Sequence, residues 1–192
     1  MIYNRQKKLK LDIDQSITVV GCGGIGYWVA KFAAMSGIDI IYVFDPDIIE
    51  IHNLNRLDLP EKFVGRNKSD VVRIVVNSLR PMCSMYSMPY RFTEVHDTDT
   101  TWLVDCTDNY ESQVENQRIA NIRGMRYLKA GYDGEQFSIN NVVAEWGDVE
   151  DGYRVVPSWV VPSVVVASLT VAKILKYKYK EAATTIENMF LK

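Results

Sequence analysis

Ile17-Thr18-Val19-Val20-Gly21-Cys22-Gly23-Gly24-Ile25-Gly26 joins a β-branched run to a glycine-rich turn. The run predicts a short, fully buried central strand, and the glycines end it. From Ile25 to Met35 the apolar residues recur at helical spacing, and Ser36-Gly37 puts a glycine where helices stop. Ile38 to Phe44 is a second apolar run and a second strand. Strand, helix and strand within about thirty residues demand a right-handed crossover and a parallel sheet. The Gly21, Gly23, Gly26 spacing fits the dinucleotide fingerprint in its proper context, after a strand and opening a helix. Glycines let a ligand approach the backbone, and the helix N-terminus offers unpaired N–H groups and a positive dipole end to phosphate. Asp45, 19 residues beyond Gly26, ends the second strand where a carboxylate accepts hydrogen bonds from ribose hydroxyls. This much favours an NAD-dependent oxidoreductase; a tight turn with no ligand is the plainer alternative. No Gly-Lys-Ser/Thr follows, so the turn is not a Walker phosphate loop.

The rest of the chain extends the same pattern. Residues 48–65 read as a loop with room for one helical turn, and Asn67 or Lys68 opens a helix that runs to Leu79 and is stopped by Arg80-Pro81. Strands are expected at Met82–Met88, Trp102–Cys106, Arg126–Ala130, Phe137–Val143 and Thr184–Phe190, with helices at Ser112–Arg123 and Val161–Tyr177 and a loop at 145–158. The expected fold is α/β: a Rossmann-like three-layer domain with a mostly parallel central sheet, spanning 15–192, preceded by an arm or short helix at 1–14. At 192 residues, 47% hydrophobic and 24% charged, this is one globular domain with a real core. A net charge of −2 gives no reason to expect a nucleic-acid partner. The longest apolar run, Trp159–Leu169, is too short to span a bilayer, and no leader pattern opens the chain. Cys22, Cys83 and Cys106 form no CxxC pair, so neither a disulfide framework nor a zinc site is expected, and a cytoplasmic location is the natural reading. Cys22 and Cys106 suit small buried positions, and His52 and His96 loop or surface positions.

The run Asp45-Pro46-Asp47-Ile48-Ile49-Glu50-Ile51-His52-Asn53-Leu54-Asn55-Arg56 resembles the D-x-D-x-(V/I)-E-x-x-N-L-x-R segment of the ThiF/MoeB-type, ubiquitin-activating-enzyme-like adenylyltransferases. Gly65 with Lys68 resembles that family's G-x-x-K, Asp105-Cys106-Thr107-Asp108-Asn109 its D-x-T-D-N, and Tyr3-Asn4-Arg5-Gln6 its N-terminal Y-x-R-Q. Arg80-Pro81 stands where many members have Asn-Pro, and Pro162 with the helix to Leu175 is similar to the family's closing segment. The resemblance implies ATP-dependent adenylation of a carboxylate, usually the C-terminal glycine of a small ubiquitin-like or sulfur-carrier protein, by a homodimer using magnesium. It implies that Gly21, Gly23, Gly24, Gly26, Asp45, Asp47, Asn53, Asn55, Arg56, Lys68, Asp108 and Asn109 bind the nucleotide. Asp108 would be the magnesium ligand, Arg56 and Lys68 the phosphate-binding cations, and Arg5 a finger supplied across the dimer. Positioned cations and a metal suit a reaction that joins two anions and builds charge on a leaving group.

Plainer roles stay open: Asp108 and Asn109 suit an Asx turn or helix N-cap, Lys68 an exposed first-turn lysine, Arg5 and Arg56 surface charges. The sequence also departs from the family. Leu57 replaces the usual Gln, and the segment from Ala144 to Val161 is short and holds no cysteine, so thioester transfer by this chain is not expected. A non-catalytic partner subunit of a heterodimeric activating enzyme is a second reading, and a relative acting on a peptide or nucleoside carboxylate a third.

Overall fold

β1 (Ser16–Val20), β2 (Ile40–Phe44), β3 (Ser84–Met88), β4 (Trp102–Asp105), β5 (Arg126–Tyr132) and β6 (Phe137–Asn140) form one sheet in the order β3-β2-β1-β4-β5-β6. Every neighbouring pair is parallel except β5–β6. This is a computed structural model, and it describes residues 2–132, 137–143 and 157–176. The helices are α1 (Gly24–Ser36), α2 (Lys68–Leu79), α3 (Tyr110–Ile122) and α4 (Val160–Ile174). Alternation along the strands sorts them into layers. Ile17, Val19, Ile41, Val43, Val104 and Leu128 enter a core shared with α1, α2 and α4, while Val20, Phe44, Leu103 and Tyr127 face α3 on the other side. The three-layer α/β expectation is met.

The chain leaves β1 toward β2 and β3, then returns to β4 on β1's other flank. That reversal opens a crevice beyond the carboxyl ends of β1 and β4, the place where open α/β sheets bind ligands. The returning segment, 89–101, holds no helix or strand. It is tied down instead by Phe92 packed edge-on against Phe44 and by the hydroxyls of Thr98 and Thr100, 2.9 and 2.8 Å from that of Thr18. A threonine in a central strand is thereby paired rather than orphaned.

Several boundaries differ from the sequence reading. The loop after β2 holds two short 3-10 turns, Ile51–Asn55 and Glu61–Phe63. α3 begins at Tyr110, because the Asn109 side chain caps it. β5 extends to Tyr132, β6 stops at Asn140, and α4 ends at Ile174. The expected strand at 184–190 and most of the loop at 145–158 lie outside the described residues.

The arm folds back on its own domain. Tyr3 Oη donates to Ala34 O at 3.1 Å, a carbonyl that the Gly37 N–H also reaches, and Gln6 Nε2 donates to Ser36 O at 2.6 Å, so the arm is bonded to the last turn of α1. Asp12 then donates its backbone N–H to Leu175 O and pairs with Lys176 beyond α4.

Candidate nucleotide site

The four glycines of the turn are not equivalent. Gly21 has φ +88°, and a Cβ there would lie 3.0 Å from the Cys106 carbonyl oxygen. A Cβ on Gly26 would lie 1.8 Å from Gly21 O, so only glycine lets α1 start this close to the strand. A Cβ on Gly24 would strike Ser163 Oγ at 2.7 Å and Arg56 Cδ at 2.9 Å. Gly23 has ordinary extended backbone, and a Cβ there would meet nothing within 4 Å. It stands as N-cap of α1, with no side chain capping the helix. Three glycines are accounted for by the protein's own packing; the fourth faces open space at an uncapped helix N-terminus, where the macrodipole favours an anion.

Asp45 is almost completely buried just past β2. Its Oδ2 accepts from Cys22 N at 2.6 Å and its Oδ1 from Asp47 N at 2.8 Å, so it ties the glycine turn to the end of β2. Burial pushes its carboxyl up, against the lowering pull of Lys68 and the two N–H donors. Asn67 organises the far end of the following loop. Its Oδ1 caps α2 through Ser69 N and Asp70 N, while its Nδ2 donates to the carbonyls of Asp45 and Asp47, both at 3.0 Å. Such a cap contributes about 1 kcal/mol. It also holds Lys68, the first residue of α2, beside the strand end, where Lys68 Nζ donates to Asp47 Oδ2 at 2.9 Å.

Between them, Asn53 is buried and uses its Oδ1 on Glu50 N. Asn55 Nδ2 donates to Ser158 O at 2.7 Å, joining the loop to the entry of α4. Arg56 lies across Gly24, with its Nη1 on Asn55 Oδ1 and His52 O. Leu57, in the place of the family's glutamine, is only 5% exposed and belongs to the main core.

On the other lip, Asp105 is fully buried at the end of β4. Its Oδ1 takes the N–H and hydroxyl of Thr107, and its Oδ2 takes Asn116 Nδ2 and Tyr127 Oη. The Thr107 carbonyl accepts from Gln113 Nε2 and Lys129 Nζ, each at 2.9 Å. Every polar group of Thr107 is thus fixed, and Asn109 Oδ1 caps α3 through Ser112 N. Asp108 stands between these anchors, exposed and without a hydrogen-bond or ion-pair partner among the described residues. Asn109 has the plainer N-cap role; a nucleotide contact by it rests on the resemblance alone.

The fold therefore brings the glycine turn, Asp45, Asp47, Asn53, Asn55, Arg56, Lys68 and the Asp108 loop to one crevice. Arg5 is not among them. Its arm is fastened to the C-terminal end of α1, and thirteen residues of helix place that end about 20 Å from the glycine turn. Sequence reasoning missed Asn67, Trp28, Gln113 and Lys129, whose parts depend on contacts between distant segments; Asn67 alone carried a signal, as a cap residue opening a helix. The three cysteines are poor nucleophiles. Burial pushes the thiol of Cys83 up to about 11 and that of Cys106 up to about 12, and raises Cys22 strongly.

Residues 2–147 match the model of the ThiF family. The chain is 25% identical over 142 residues to ubiquitin-like modifier-activating enzyme 5 of Oryza sativa subsp. japonica, covering 65% of this chain and 34% of that protein. Against the same enzyme of Drosophila ananassae the identity is 25% over 134 residues, covering 62% and 34%. The chain thus spans about one third of the length of these curated relatives. Among solved structures, E. coli MccB with AMPCPP and MccA shares the fold at a TM-score of 0.74 and 22% identity, over 90% of this chain and 57% of that one. E. coli TcdA, a tRNA N6-threonylcarbamoyladenosine dehydratase, gives 0.60 and 24%, over 70% and 57%.

Proposed function

The chain belongs to the ThiF family, and from that membership we propose that it uses ATP to adenylate a substrate carboxylate, that of the C-terminus of a small ubiquitin-like or sulfur-carrier protein. The observation that carries this reading is the open space at Gly23, before an uncapped helix N-terminus, with Arg56 lying over the next residue, Lys68 at the first residue of α2 and Asp108 on the loop after β4.

In the reaction a carboxylate oxygen bonds to the α-phosphorus of ATP, the bond from that phosphorus to the bridging oxygen breaks, and pyrophosphate leaves with the electron pair. Each residue has a part that follows from its place. The N–H groups at the start of α1 donate to phosphate oxygens, and Gly23 keeps the approach clear. Arg56 presents a planar fork of donors and Lys68 a point charge to the phosphates. Asp45 has lone pairs beyond its two backbone bonds for ribose hydroxyls. Asp108 fits a magnesium ion, because its carboxylate has no protein partner among the described residues and magnesium takes one or two carboxylates together with substrate phosphates. When bound, the ion would offset charge on the phosphates and the leaving group. No described group of three or more His, Cys, Asp or Glu residues could form an all-protein metal cage.

The reading stops at the acyl adenylate. All three cysteines of the chain are buried or partly buried with raised thiols, and none of them takes up the activated carboxyl. Because Arg5 lies at the wrong end of α1 to serve its own crevice, its part as a finger requires a second copy, and the active unit is a homodimer. ATP–pyrophosphate exchange tests the proposal. Purified chain should exchange label only when a carrier with a free C-terminal carboxylate is added. Binding of ATP without any carrier-dependent exchange overturns it.

A further inference from the structure

We propose that the Tyr27-Trp28-Lys31 face of α1 is the device that positions Arg56, with Trp28 as its central positioning residue; the inference rests on Arg56 serving as a phosphate-binding cation. Trp28 Nε1 donates to the Arg56 carbonyl at 2.9 Å. One residue on, Leu57 is buried in the core, and the next, Asp58, receives Tyr27 Oη on one carboxylate oxygen and Lys31 Nζ on the other. Lys31 Nζ lies 4.7 Å from the centroid of the Trp28 ring, and that ring packs on Phe32 at 5.4 Å. Arg56 and Asp58 are therefore fastened to the end of the first turn and to the second turn of the helix that the glycines open, with Leu57 buried between them.

The consequence is mechanical. The Arg56 stem occupies the space that a Cβ on Gly24 would need, 2.9 Å from its Cδ, so the arginine is seated directly against the helix N-terminus. The Trp28 bond fixes the Arg56 backbone, while Asp58 fixes the chain just beyond it. A phosphate meeting both groups finds them already spaced, which removes an ordering cost from binding. Where the resembled family places a glutamine after the arginine, this chain holds the segment by apolar burial of Leu57 and by the Tyr27-Trp28-Lys31 face.

Trp28→Phe removes the N–H and keeps a ring against Phe32 and Lys31. The first readout is the Arg56 Nε–H signal in nucleotide-free protein, by heteronuclear NOE: ordered in wild type, mobile in W28F. The second is ATP–magnesium affinity by calorimetry, expected to fall about three- to tenfold, the loss of one ordinary hydrogen bond's worth. W28F combined with Arg56→Ala should bind no more weakly than R56A alone, whereas W28F combined with Lys68→Met should be additive. Asp58→Asn, which loosens the segment from its other side, is the second variant should W28F fold poorly. An unchanged Arg56 signal in both variants, or additivity of W28F with R56A, overturns the inference. A mobile Arg56 in W28F with R56A binding ATP like wild type upholds the positioning and instead defeats the phosphate role of Arg56.

Discussion

Replacing Gly23 by alanine separates a glycine kept for a ligand from one kept for the fold. The backbone there is extended, with φ −73° and ψ −154°, and the added methyl meets nothing within 4 Å. As an N-cap, alanine is worse than glycine by up to about 1 kcal/mol. The stiffer unfolded chain returns about 0.4–1 kcal/mol. The two nearly cancel, so the melting temperature should stay within about 4 °C of wild type. Binding behaves differently. The methyl projects into the space at the uncapped helix end and holds a phosphate off, at the cost of at least one charge-assisted N–H bond, about 1.5–3 kcal/mol. ATP–magnesium affinity, measured by calorimetry beside a thermal melt, should fall about 10- to 100-fold. Gly26→Ala is the contrast: its methyl would lie 1.8 Å from a backbone carbonyl where ordinary contact begins at 3.4 Å. The helix must shift, costing about 3 kcal/mol of stability or more. A G23A protein that melts far below wild type, or binds ATP as wild type does, refutes the assignment of this glycine to the ligand.

Leu57→Gln, which restores the family's residue type, should lower stability by about 3 kcal/mol, read from the urea midpoint, because it places an amide in the core; no loss would mean that the segment is not held by burial. The Lys176 hydrogen bond holds Asp12 below 3.8, so its contribution is full above that value and is lost as pH falls through the depressed one. The melting curves of wild type and Asp12→Asn, apart at neutral pH, should therefore converge in acid; a constant gap at all pH values would exclude the ion pair as its cause. Mixing Arg5→Ala chains with Asp108→Ala chains should recover part of the lost pyrophosphate exchange, since a heterodimer keeps one intact site. No recovery would argue against an arginine supplied by the partner copy.

The first half of the fold was legible because its signals are local. A β-branched run, glycines at fixed offsets, a helical period and a closing glycine are read within β1, α1 and β2, and the observed bounds fall within two residues of those expected. The candidate nucleotide residues were legible only as types in an order. Their geometry was not, because it is made by partners far along the chain. Asp105 read as one letter of a motif, yet it is the buried anchor of the Asp108 loop through residues of α3 and β5. Asn67 read as a helix opener, and its second hand, on the carbonyls of Asp45 and Asp47, spans 22 and 20 positions. Arg5 read as a site residue, and the arm's hydrogen bonds to the opposite end of α1 place it elsewhere within its own chain.

Glycine turn and acidic ribose partner are common to dinucleotide and ATP sites, so the choice between them rests on charge. The bridging pyrophosphate of a dinucleotide carries two charges, and a helix N-terminus with close backbone approach is the usual provision for it. Triphosphate carries more charge, and a reaction expelling pyrophosphate increases it at the leaving group, beyond what half a unit of dipole charge offsets. On the proposed reading this crevice supplies the difference: a guanidinium laid across the second glycine of the helix start, an ammonium at the first residue of α2, and a carboxylate without a partner among the described residues and suited to a divalent ion. Holding such groups costs stability, since Asp45 is buried with its carboxyl pushed up and Lys129 is nine-tenths buried on two carbonyls. Asp108, by contrast, is exposed and holds no part of the described fold, and its presence at the crevice weighs against the reading of a non-catalytic partner subunit.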